Sequence, residues 1–206
     1  MTVVDISKAI NNIITSAMIL IVAIFINFLV RRSDASVIGI TLPSRLVHLA
    51  LGPTLVLLNG VLLVYLCALY QTAASMNEVG SLQRSQKYLH LGFLVNPFYI
   101  SKNSVITAVG YAFLIFLWWL GMHTFLYSIG LNSTNSPFLF GWQILISVLY
   151  LSVGLASMFA IQACWQKFGI ASYQLKIWAA FVSIPVGAFL PPLLLRLGLP
   201  HLPFKF

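Results

Sequence analysis

Apolar residues in this chain run in long blocks, where a half-buried strand or a surface helix would interrupt them every second to fourth position. Five blocks stand out, over residues 10–30, 46–70, 105–129, 139–164 and 177–195. A helix rises 1.5 Å per residue, so about 20 apolar residues cross the roughly 30 Å of a bilayer's hydrocarbon. The pattern therefore predicts an all-α fold, a polytopic integral membrane bundle of five transmembrane helices forming one domain over residues 1–206. Polar intruders are few. Asn27 sits in the first block, Pro53 and Asn59 in the second. Pro185, Pro191 and Pro192 interrupt the fifth. Each proline removes a backbone donor and crowds the preceding turn, so a kink is predicted there. No internal repeat or low-complexity tract is present.

The connections differ in character. Residues 33–44 are short and mixed, and residues 71–103 form the longest polar stretch. That stretch contains an apolar run, 89–100, around Asn96-Pro97. It is too short to cross, which predicts an interfacial helix or a shallow re-entrant segment. Residues 131–137 make an uncharged tight connection holding the sequon Asn132-Ser133-Thr134, and the tail 198–206 alternates prolines with apolar residues as an interfacial segment would. The first block lies between Asp5 and Lys8 on one side and Arg31-Arg32 on the other, with no A-x-A-like site. This reads as a retained helix with a stop-transfer flank, not a cleaved signal.

Composition strengthens the membrane reading. Hydrophobic residues are 60% of the 206, charged residues 7%, and mean hydropathy is +0.98. A soluble domain carries about 25% charged residues. The formal charge of +8 comes from 11 Lys and Arg against 3 acids, and the cations are spread singly or in pairs between the apolar blocks. That distribution suits anionic headgroups at span ends, not a nucleic-acid face. Five spans put Lys8, Arg84, Lys87, Lys102, Lys167 and Lys176 on one face and Arg31, Arg32, Arg45, Arg196 and Lys205 on the other. The uncharged third connection then places the N-terminus inside. The membrane could be a bacterial inner membrane or an organellar one.

Small residues recur every fourth position on three spans: Ser152, Ala156, Ala160 and Cys164 on the fourth, Ala179, Ser183 and Gly187 on the fifth, Ser104, Ala108 and Ala112 on the third. Such stripes let helix backbones approach closely, the main source of helix association in lipid. They predict packing among the chain's own helices and, as the alternative, docking on partner subunits. Cys67 and Cys164 have no metal-ligand spacing and read as buried free thiols. Trp142, Trp165 and Trp178 fall near span ends as interfacial belts do. Trp118 and Trp119 lie deeper, in bulk packing or against a pigment or lipid.

One pair of residues could carry chemistry. His48 lies roughly 5 Å past Arg45 and His123 roughly 9 Å before Ile129, on antiparallel neighbours, so both sit toward one face. Axial ligation of haem b needs two imidazoles at similar depth, and Gly52 and Gly121 would leave room for a macrocycle. The stretches Ser44-Arg45-Leu46-Val47-His48 through Gly52, and Gly121-Met122-His123, resemble the haem-ligand helices of succinate dehydrogenase membrane anchors. The resemblance implies a haem b or quinone-linked electron-transfer anchor. The chain departs from that family in having five spans where the family has three. It also lacks the Arg after the first motif histidine and the Arg and Asp near the second.

Catalytic motifs are absent: there is no G-x-S-x-G, H-E-x-x-H, Gly-rich phosphate loop or paired carboxylate. Asp5, Asp34 and Glu78 are the only acids, and all fall outside the five blocks. A carboxylate relay thus has no residues with which to work. Three readings follow. The chain is expected to be a non-catalytic subunit of a larger membrane complex, with other membrane subunits and bound lipids as partners. The alternatives are the haem or quinone anchor using His48 and His123, and a small channel or carrier with Asn27 and Asn59 in its path.

Overall fold

The computed structural model describes the backbone of residues 2–29, 34–37, 40–76, 79–89, 96–98, 104–132, 137–170 and 173–201. Side chains are described for residues 2–26, 50–76, 82–87, 89, 96–98, 105–126, 141–170, 174–190, 192 and 193. The elements in chain order are α1 (Val3–Leu29), β1 (Asp34–Val37), β2 (Ile40–Pro43), α2 (Ser44–Ala74), α3 (Val79–Leu89), α4 (Ser104–Asn132), α5 (Pro137–Lys167) and α6 (Tyr173–His201).

The second to fifth apolar blocks each lie within one helix that overruns them by a few residues at both ends, and α1 covers the first block as far as Leu29. Four contain stretches long and apolar enough to cross a bilayer: Val3–Ile26, Ala50–Ala74, Val105–Leu126 and Gly141–Lys167. In α6 the corresponding described stretch is shorter, Gln174–Leu190. The helical assignment of α6 continues unbroken through Pro185, Pro191 and Pro192; freed backbone groups in such helices are re-satisfied locally.

Two elements depart from the sequence reading. The first connection holds an antiparallel ribbon, with Asp34 opposite Pro43 and Val37 opposite Ile40. The polar stretch after α2 forms α3, whose Gln83, Arg84 and Lys87 are exposed while Leu89 is fully buried.

Helix ends are closed by local chemistry. At the start of α1, Thr2 and Asp5 form a reciprocal capping box: the Asp5 amide donates to Thr2 Oγ1 at 3.3 Å, and the Thr2 amide donates to the Asp5 carboxylate at 3.0 Å. At the end of α5, Gly169 adopts φ +63°, its amide donates to the Gln166 carbonyl at 3.2 Å, and the Ile170 amide donates to the Trp165 carbonyl at 3.0 Å. This is a Schellman cap, which needs a left-handed residue that glycine supplies without a Cβ clash. Hydroxyls within the bundle turn back on their own helices. Thr54, Thr72, Thr124 and Ser157 donate to the carbonyls of Ala50, Ala68, Leu120 and Val153 at 2.7–2.9 Å.

The most extensive helix pairs are α2 with α5 and α4 with α6. Two layers of buried side chains stack along the bundle. One, at the end holding the start of α1, contains Ile6, Leu66, Leu69, Leu89, Phe98 and Trp165. The other contains Ile21, Leu55, Leu120, Phe125 and Tyr150. The outer surface is apolar as well: Leu57, Val64, Phe159, Trp178, Phe181 and Phe189 are all strongly exposed. A water-facing surface of this kind would aggregate, whereas lipid solvates it. The chain is an integral membrane protein.

Candidate functional site

At the α1-start end of the bundle lies the described part of the apolar run in the second connection, Leu89 and residues 96–98; the rest of the run lies outside the described residues. Asn96, Pro97 and Phe98 are buried. The Asn96 amide donates to the Leu89 carbonyl at 2.7 Å, and its oxygen accepts from the Phe98 amide at 2.9 Å. The Asn96 side chain thus closes the turn. The Pro97 carbonyl accepts two bonds at once, from Trp165 Nε1 at 3.1 Å and from Lys176 Nζ at 2.8 Å. The Lys176 ammonium also lies 4.8 Å from the centre of the Trp165 ring, a cation–π contact, and Lys176 is 1% exposed. Asp5, the one acid with a described side chain, is exposed and bonded to Thr2. The buried cation is therefore held by a carbonyl and a ring, with no carboxylate among the described residues. Gln86 adds a bond from α3 to the Phe168 carbonyl at 3.2 Å, satisfying an orphan group at the end of α5. Trp165 and Lys176, read from the sequence as a belt residue and a flanking charge, are core residues that pin this segment. Sequence spacing carried no signal for either, because their partner lies 68 and 79 positions away.

Below this anchor, a cavity of about 100 Å³ lies between α1, α2, α4 and α5. Pro97 closes one side of it, and its wall includes Ala17, Leu58, Trp118 and Met158. Its polar wall groups are largely used up. Asn59 hydrogen-bonds to the Tyr150 hydroxyl, which donates to the Trp118 carbonyl at 2.8 Å. Ser157 is bonded to its own helix. Trp118 stacks on Tyr150 at 5.6 Å and rests on Gly154, where a Cβ would collide with the indole. Asn59 thus caps a helix–helix hydrogen-bond chain. The side chain of Asn27 lies outside the described residues.

The packing stripes fall as follows. On α6, Ser183 and Gly187 are buried, and Gly187 lies directly under Trp119 of α4. Ala179 packs on the first core layer with Ala160 of α5. Ser152 is exposed and Ala156 half-buried, while Gly154 and Ser157 carry the buried face of α5 at that level. Cys164 is buried and contacts the Leu66 carbonyl at 3.6 Å, whereas Cys67 is exposed; both are free thiols. The expectation of a buried thiol is overturned at Cys67, which lies on the lipid-facing side of α2. On the outside, Ala108 and Ala112 of α4 with Ala179 and Ser183 of α6 line an open groove of about 520 Å³, walled by Phe113 and Trp178.

Of the two histidines, His123 alone has a described side chain. His123 is half-buried, stacks against Trp119 at 6.2 Å, and contacts the backbone of Ala188 on α6. Its Nε2 has no hydrogen-bond partner. His48 belongs to α2, and its side chain lies outside the described residues. The space at the two glycines is taken by the protein itself. A Cβ at Gly52 would meet Phe125 and Ile146, and one at Gly121 would meet Ile21 and the Tyr150 hydroxyl. Side chains therefore fill the space beside each of these glycines, and the pairing of His48 with His123 lies outside the described residues. No group of three metal-ligating side chains occurs among the described residues. Compared with known proteins, the chain matches no family model, no curated protein and no solved structure.

Proposed function

We propose that this protein is a non-catalytic integral membrane subunit, with α6 as its fifth span, that docks a transmembrane helix of a partner chain. The observation that carries the reading is the groove between α4 and α6. Its floor is built from Ala108, Ala112, Ala179 and Ser183, and Phe113 and Trp178 stand at its sides. Small floor residues let a second backbone come close enough for dispersion contacts, which apolar side chains alone do not gain over lipid. The interior agrees with a supporting role: the polar groups described inside the bundle bond mostly to one another or to backbone, and the one carboxylate among the described side chains, Asp5, is exposed in the first turn of α1.

The test is photocrosslinking in native membranes. A benzophenone amino acid at Ala112 or Val182 should capture one discrete partner chain, and mild-detergent purification should recover that chain in fixed stoichiometry. The same probe at the lipid-facing Leu57 should give no protein adduct. A monodisperse monomer with lipid-only adducts at all three positions would overturn the reading.

A further inference from the structure

We infer that the cavity between α1, α2, α4 and α5 is a binding site for the methyl end of a lipid hydrocarbon chain. Three observations carry this.

Depth is the first. The cavity spans Ile13 to Ile21 on α1, about 15 to 27 Å from the helix start at 1.5 Å per residue. One end of it therefore lies near the middle of a roughly 30 Å hydrocarbon layer, which the ends of lipid chains reach and their headgroups do not.

Polarity is the second. Tyr150 and Ser157 donate their hydroxyl protons to backbone carbonyls, and Asn59 bonds to the Tyr150 hydroxyl. The Trp118 indole N–H is buried against Gly154 and does not open into the space. Water needs two to four polar partners to occupy a cavity, and apolar cavities of this kind stay dry and take apolar guests.

Size is the third. The volume of about 100 Å³ is below the roughly 150 Å³ known to admit benzene, so it holds the last few carbons of a chain and not a ring system. The cavity is also partly open to its surroundings, so a chain can enter while its headgroup stays at the interface. The site is independent of the groove between α4 and α6.

The full chain in lipid nanodiscs gives the test, with phospholipids brominated near the headgroup, at mid-chain or at the chain terminus. Trp118 borders the cavity, so the fluorescence lost on Trp118→Phe isolates its signal. That signal should be quenched most by terminal bromines. Ala17→Leu, which fills the space, should reduce the terminal-bromine quenching of Trp118 to the level seen with headgroup bromines. Equal quenching from all three positions, or quenching unchanged in A17L, overturns the inference. Should A17L fail to fold, xenon binding to the wild-type chain in detergent decides. Uptake at the cavity that is displaced by a long-chain alkane supports the site, and no uptake refutes it.

Discussion

Lys176 shows how a single residue can reverse its apparent role. By position it is one more cation at a span end; in the fold it is buried against Trp165 and bonded to the Pro97 carbonyl. A buried charge is costly unless it is bonded, and replacing one with an apolar residue of similar shape is often neutral or stabilising. Lys176→Met keeps the packed stem, and Trp165 still serves the carbonyl. Its stability, read from thermal unfolding in detergent, should stay within about 1 kcal/mol of wild type. Lys176→Ala adds a cavity to the lost bond and should cost about 2–4 kcal/mol. A large loss in K176M would show that the ammonium itself holds the segment. Gly169 makes a separate case: Gly169→Ala forces a Cβ into the left-handed region and should cost about 1–2 kcal/mol, measured the same way. The Gly signal at the end of α5 was available in the sequence, as Lys-Phe-Gly-Ile. The Lys176 contact was not, since nothing local encodes a partner in a distant connection.

Between elements, the α4–α6 and α4–α5 seams depend on indoles lying on glycines, Trp119 on Gly187 and Trp118 on Gly154. Gly187→Val and Gly154→Val should each overpack the seam and cost about 1–3 kcal/mol, read as lowered thermal midpoints. The paired truncation Trp119→Ala should recover part of the loss in G187V, because the two changes share one contact. Ser183 and Gly187 of the α6 stripe are buried, Gly187 under Trp119. On α5, Ala160 and Cys164 of the stripe reach the core, Ala156 is half-buried and Ser152 exposed, and Gly154 and Ser157 are buried beside them. The helices themselves were legible because length and continuous apolarity are local properties. The ribbon and α3 were not. The ribbon strands have four residues each, too few to show a period, and α3 lacks the apolar content that marked the other helices.

For the whole molecule, the sidedness of the bundle is open to direct measurement. Five spans put the two termini on opposite faces, and the uncharged third connection argues for an inside N-terminus. With Cys67 and Cys164 replaced by alanine, Ser133→Cys should react with an impermeant maleimide in intact cells, and Lys8→Cys only after permeabilisation. A reporter fused at the C-terminus should signal from the outside. Termini on the same side would show that α6 does not cross, and the reverse labelling pattern would invert the molecule.

The pair of hydrogen bonds donated to the Pro97 carbonyl also sets an order of assembly. Trp165 enters the chain 68 residues after that carbonyl is made, and Lys176 79 residues after it. While α4 and α5 are being threaded into the membrane, the carbonyl has neither of these donors. Only the last helix completes its pair. The inward turn at Asn96-Pro97 thus acts as a latch on biogenesis, closing when synthesis is nearly done. A chain stopped before Tyr173 would carry all four of its long spans and still lack half of the latch at the α1-start end of its bundle.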